Sequence, residues 1–229
     1  MEPATTVSLK AILFDLDGVI VDSEAIHHRA YELALEAYGV AEIPFEIYAE
    51  HWSNRGQGLD YAVRHFPGVE AKELKRRKEA ALLNLLRSEV RLRPGAGSAV
   101  RRLAGHWPLA LATGSARDVA ALVLDRFALR DHFRVVVARE DYCLDKPAPD
   151  AFLKAAELVG VAPDDCLVVE DSVKGLSAAR AAGMRCVVVP NDYTRRGDFF
   201  GAQVVLKAMN QLTIDLVESL FRRAEEPPA

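Results

Sequence analysis

Cysteine is scarce: Cys143, Cys166 and Cys186 are the only three in 229 residues. So few, and an odd number, provide no disulfide framework, and the chain reads as a protein of a reducing cytoplasm. An excess of basic residues is lacking too. Twenty-nine Lys and Arg stand against 33 Asp and Glu, which argues against the basic stripe of a nucleic-acid-binding domain. No apolar run approaches the ~18 residues a membrane helix needs. Met1–Ser8 has neither the basic start nor the apolar stretch of an export signal. Repeats and low-complexity segments are missing. Gly95-Ala96-Gly97 follows no strand-like run and lacks the third glycine of a dinucleotide loop. What remains is globular composition, 50% hydrophobic and 27% charged.

Short unbroken apolar runs punctuate the chain at Ala11–Phe14, Leu109–Ala112, Val135–Ala138, Cys166–Val169 and Cys186–Val189. Such runs suit strands covered on both faces. Amphipathic stretches of helical length lie between them, at Gly97–Gly105, Arg117–Phe127, Asp150–Val159 and Lys174–Ala182. Pro149 stands where a helix begins, and Gly160 and Gly183 where helices end. Alternating strands and helices predict an α/β fold, a doubly wound, Rossmann-like parallel sheet. Val204–Leu206 reads as an edge strand, Leu212–Arg222 as a closing helix and Glu225–Ala229 as a frayed tail.

One interval breaks the alternation. From Ser23 to Arg93 only helical periodicity is present, and Pro94-Gly95 marks the return. The expected organisation is a core of residues 1–22 and 94–229 with a helical subdomain, residues 23–93, inserted into it. The basic run Lys72–Lys78 reads as a solvated helix face.

Parallel α/β sheets bind ligands beyond the carboxyl ends of their strands. Asp15-Leu16-Asp17-Gly18 follows the first run and Thr113-Gly114-Ser115 the second. Lys146-Pro147 lies beyond the third, and Glu170-Asp171-Ser172 closes the fourth. Four carboxylates against one lysine at one sheet edge repel one another unless a cation joins them. Oxygen ligands with room for water and phosphate favour Mg²⁺. Gly18 permits a sharp turn, and Thr113, Gly114 and Ser115 at a helix start offer hydroxyls and free N–H groups to an anion, or serve simply as an N-cap.

In order and spacing, Asp15-Leu16-Asp17-Gly18-Val19, Thr113, Lys146-Pro147 and Glu170-Asp171-Ser172 with Gly175 resemble the four motifs of the haloacid dehalogenase superfamily. The helical block after the first motif is similar to that superfamily's α-helical cap. Asp15–Ser23 and Lys146–Asp150 resemble its β-phosphoglucomutase and sugar-phosphate phosphatase branch. The resemblance implies a phosphatase in which Asp15 is the nucleophile and Asp17 the acid and base. Thr113, Gly114, Ser115 and Lys146 would hold the phosphoryl group. Asp15, the Asp17 carbonyl, Asp171 and Glu170 would hold Mg²⁺, the last directly or through water.

In the cap, the resemblance assigns His27 to assist the acid/base residue and Arg55 to grip a second phosphate. His51, Trp52, Asn54 and Arg55 either face substrate or, for Trp52, pack between helices and, for Arg55, lie on the surface. His51-Trp52 replaces a Lys-Gly pair of the mutases, and Thr113-Gly114-Ser115 replaces their second motif. Phosphatase is therefore preferred, with mutase the alternative. A non-catalytic relative would be expected to have lost Asp15, Asp17 or Lys146. The cysteines read as small apolar residues. The expected partner is a small phosphorylated metabolite, with no nucleic acid or membrane, and the expected state is a monomer hinged at Asp22-Ser23 and Arg93–Gly95.

Overall fold

The structure, a computed structural model, describes residues 8–222. Strand β1 (Ala11–Phe14) is an apolar tetrapeptide with every side chain buried. A helical block follows: α1 (Glu24–Leu35), the short α2 (Phe45–Tyr48) running into a π-helical turn at Ala49–Asn54, α3 (Gly58–His65) and α4 (Ala71–Glu89). The chain continues through α5 (Ala96–Ala104), β2 (Leu109–Ala112), α6 (Arg117–Arg126), β3 (Phe133–Val137) and α7 (Asp150–Val159). It closes with β4 (Cys166–Glu170), α8 (Val173–Ala181), β5 (Arg185–Val188), β6 (Val204–Val205) and α9 (Ile214–Ser219). The strands form one parallel sheet in the order β3-β2-β1-β4-β5-β6. This is the doubly wound architecture expected.

Alternation along β1 divides the core. Ile12 and Phe14 face a cluster with Ala99, Val100 and Leu103 of α5, Val123 and Leu124 of α6, and Val217 of α9. Ala11 and Leu13 face the other cluster, with Phe152 and Ala155 of α7 and Leu176 and Ala179 of α8. A fully buried Leu or Phe contributes about 1.5–3 kcal/mol, so these two layers fix the strand ends rigidly. Strand β3 starts two residues before the expected Val135, because Phe133 pairs with Leu109 and packs edge-on against Phe14 at 6.1 Å. The closing helix is shorter than expected: Thr213 caps it by accepting from the Leu216 amide at 3.2 Å. The expected tail at Glu225–Ala229 lies outside the described residues.

The helical block leaves and returns through paired segments. The Asp22 amide donates to the Arg91 carbonyl and the Arg93 amide to the Ile20 carbonyl, both at 2.9 Å. The block has its own apolar cluster, including Leu35, Tyr48, Trp52 and Leu74, and α1 packs along α4. The basic run on α4 is only partly a solvated face. Lys72, Lys75, Arg76 and Arg77 are exposed, but Lys78 turns inward. It lies in i, i+4 register with Leu74 and Leu82, both buried. Among the described residues no helix is long and apolar enough to cross a membrane.

Candidate active site

Because β2 and β4 flank β1, the residues that follow these strands converge. The Lys146 ammonium donates to Asp15 Oδ1 at 2.6 Å, Glu170 Oε1 at 2.7 Å and the Ala112 carbonyl at 3.2 Å. All three donors are thus used. Its nitrogen also lies 4.4 Å from the centre of the Phe152 ring, so the apolar layer supports the charge from beneath. Burial opposes the ammonium, but Asp15 and Glu170 outweigh it and raise the Lys146 pKa. Glu170 Oε2 accepts from the Asp171 and Ser172 amides and the Ser172 hydroxyl at 2.9, 3.2 and 3.0 Å. Burial pushes Glu170 up, but Lys146 and these bonds bring it below its usual value.

Asp15 and Asp171 respond in the opposite direction. Burial pushes Asp15 up to about 7 despite Lys146, with Glu170 and Asp17 adding repulsion. Burial and then Glu170 raise Asp171, whose Oδ2 accepts from Asn191 Nδ2 at 2.6 Å. Asp15, Glu170 and Asp171 offer carboxylate oxygens all within 4.8 Å of one another. Lys146 serves two of these three buried carboxylates, and Asp15 and Asp171 are held back from ionising, so a hard divalent cation fits this donor set. Two glycines keep it open. A Cβ at Gly18, whose φ is +76°, would stand 2.3 Å from Asp171 Oδ2, and one at Gly175 would stand 1.9 Å from the Glu170 carboxyl.

Asp17 belongs to a separate network. Its Oδ1 accepts from Ser23 Oγ at 2.6 Å and His27 Nε2 at 3.0 Å, and its Oδ2 accepts from Ser115 Oγ at 2.6 Å. Burial works against the charge, but His27, Ser115 and Ser23 hold this carboxyl well below the carboxylate range. Its carboxylate is not among the clustered oxygens. The Lys78 nitrogen lies 3.0 Å from His27 Nδ1. An ammonium only donates, so Nδ1 accepts and Nε2 carries the proton given to Asp17. Burial pushes Lys78 down to about 8, while Asp17 and then Glu79 work the other way.

A cavity of about 350 Å³ separates the sheet edge from the helical block. Asp15, Asp17, His27, Gly114, Ser115, Lys146, Glu170 and Asp171 border it, with Tyr31, Trp52 and Lys78 opposite. Two expected residues are placed otherwise. Thr113 is fully buried, and its Oγ1 accepts from the Ser115 amide at 3.0 Å rather than bordering the cavity. Arg55 points outward, 57% exposed, and pairs with Glu50 at 2.5 Å. Trp52 borders the cavity and stacks on Tyr48 at 5.6 Å. His51 lies against Tyr61 and Asn54 is buried under Tyr193. Lys78 and Asn191 were not expected. Asn191 falls two residues past the run Cys186–Val189, where the strand-end rule that singled out Glu170 also points.

Comparison with known proteins agrees with this geometry. Residues 9–183 match the model of the haloacid dehalogenase-like hydrolases. The fructose-1-phosphate phosphatase YqaB of Escherichia coli is 34% identical over 179 residues, covering 78% of this chain and 95% of the relative. The β-phosphoglucomutase of Bacillus subtilis is 31% identical over 224 residues, covering 91% and 94%. The crystal structure of CbbY from Rhodobacter sphaeroides in complex with phosphate superposes with a TM-score of 0.79 at 30% identity, covering 89% of this chain and 96% of that one. The chain belongs to the haloacid dehalogenase-like hydrolase family.

Proposed function

We propose that the protein is a Mg²⁺-dependent phosphatase that hydrolyses a small sugar or polyol phosphate through a phosphoryl group held on Asp15. The observation that carries this is the division of two carboxyls two residues apart between separate networks. Asp15 shares Lys146 with Glu170 and lies in a cluster of carboxylate oxygens ready for a cation, whereas Asp17 is bonded to Ser23, His27 and Ser115. A nucleophile beside a cation and a proton carrier beside a histidine are the two groups a two-step displacement needs.

Asp15 Oδ attacks phosphorus and the leaving alkoxide departs, and water then displaces the Asp15 carboxylate to release phosphate. Asp15, the Asp17 carbonyl and Asp171 would hold Mg²⁺, with Glu170 close by. The cation, when bound, neutralises the nucleophile and the phosphoryl oxygens it faces. Lys146 holds the charge of those oxygens, as preorganised donors do at developing charge, and Gly114 offers its amide at the same wall. A proton drawn from His27 Nε2 through Asp17 reaches the leaving oxygen, while Lys78 supplies one to His27 Nδ1. Asp17 then takes the proton of the attacking water and passes it back along the same bonds. The relatives support the substrate class: YqaB is described as a fructose-1-phosphate phosphatase.

A panel of sugar and polyol phosphates, assayed for phosphate release with Mg²⁺, tests the proposal. Release from at least one member and its loss in Asp15→Asn are expected. No release from any member, together with sugar-phosphate interconversion when a bisphosphate activator is added, would establish the mutase instead.

A further inference from the structure

The loop after β5 touches both sides of the molecule. Asn191 Nδ2 donates to Asp171 Oδ2 at 2.6 Å, while its Oδ1 accepts from the Tyr193 and Thr194 amides at 2.8 and 3.2 Å. The Asn191 amide in turn donates to Thr194 Oγ1 at 3.0 Å, and Thr194 is fully buried. Asn191 through Thr194 is therefore one closed, hydrogen-bonded unit with its amide side chain on Asp171. Its other end lies on the helical block. The Tyr193 carbonyl accepts from Asn54 Nδ2 at 3.2 Å, and its ring lies 4.8 Å from Phe45, 5.7 Å from Tyr48 and 6.0 Å from His28. Arg196 pairs with Glu46. A Cβ at Gly197 would stand 2.8 Å from Asn54 Oδ1, so the loop meets the block at backbone distance.

We propose that Tyr193 is a positioning residue: seated on the helical block, it fixes Asn191 and through it Asp171, so that cation binding and docking of the block favour one another. This rests on the reading above that Asp171 helps to hold Mg²⁺. The physical basis is reciprocity, since a contact made only in the docked arrangement that improves cation affinity must be strengthened by the cation in equal measure. Lys174 adds a second tie on the same side. It lies on α8, three residues after Asp171, and its ammonium donates to the Trp52 carbonyl at 3.0 Å.

Calorimetric titration of the substrate-free protein with Mg²⁺ tests this. Tyr193→Ala should bind Mg²⁺ about five- to tenfold more weakly than the wild type, the lower end of the usual coupling range. Tyr193→Phe, which keeps the ring and the carbonyl, should restore affinity to within about twofold, a difference far smaller than that coupling. With Trp107→Phe as background, Trp52 is the sole tryptophan. Its emission should change with Mg²⁺, and less so once Tyr193→Ala is added. A folded Tyr193→Ala variant with wild-type Mg²⁺ affinity overturns the proposal. Should that variant not fold, Glu46→Gln decides at an exposed ion pair: weaker Mg²⁺ binding is expected and unchanged binding overturns it. A wild type that binds no Mg²⁺ overturns the cation reading itself, a distinct result.

Discussion

The two walls of the cavity are built on different terms. On the sheet side the polar atoms are committed: Lys146 makes three bonds, and both oxygens of Glu170 are occupied. Glu170 ends a strand held by two buried apolar layers, and Lys146 lies over Phe152 of one of them. On the helical side commitment is looser. Lys75 is 48% exposed and meets Glu79 only at 3.9 Å, and the Trp52 Nε1 donor is buried without a partner. Preorganised charge is what a common chemical step requires, and spare donors are what a variable leaving group can use. In the proposed reaction the sheet side therefore sets the chemistry and the helical side its choice of alcohol.

Substitutions that cross this divide should separate the two. Lys146→Met removes the one cation paired with Asp15 and Glu170 among the described residues, and kcat should fall about 10³-fold, as for loss of a preorganised donor. Activity that survives within tenfold would place phosphoryl stabilisation elsewhere. Lys78→Met tests a group that reaches across from the helical wall, and kcat should fall about 10²-fold, the lower range for acid–base assistance. The sign of its pH effect follows from burial. Lys78 is an ammonium below about 8, so wild-type kcat should decline as pH rises through that value, and the variant should lack that limb.

Cation removal tests the sheet wall by itself. Asp15 is raised from 3.8 to about 7 and Asp171 is raised as well. Their protonated forms are favoured on folding, so the stability they contribute is present at low pH and lost as pH rises through the folded values. The depressed Asp17 acts oppositely, but only in acid, as pH falls below its usual range. The Tm of chelated protein should therefore fall between about pH 4 and 7, and added Mg²⁺ should flatten that slope. The smallest effect is expected on the outer surface of the block. Arg55→Ala should change kcat and KM by less than about twofold, since exposed ion pairs contribute ~0–1 kcal/mol. A large rise in KM would show that Arg55 swings in with substrate.

The sheet side was the legible part. An unbroken apolar run such as Ala11–Phe14 has to be covered on both faces, and the residues just beyond it have one edge to occupy, so Asp15, Lys146, Glu170 and Asp171 could be grouped before any coordinates. The helical side was not. Lys78 stands in a run of basic residues, and charge counting hides that it also falls in register with Leu74 and Leu82. Whether Arg55 turns in or out depends on Glu50, a packing choice without periodic signature. Thr113 shows that a residue can stand at the expected strand end and still spend its hydroxyl on the local backbone.

The central claim is that Asp15 carries the phosphoryl group. Quenching the working enzyme with borohydride and sequencing the peptide around Ala11–Val19 tests it directly, because an acyl phosphate on aspartate is reduced to homoserine. Homoserine at position 15, dependent on substrate and Mg²⁺, is the result expected. Intact aspartate there under turnover, or reduction at another carboxyl, would contradict it.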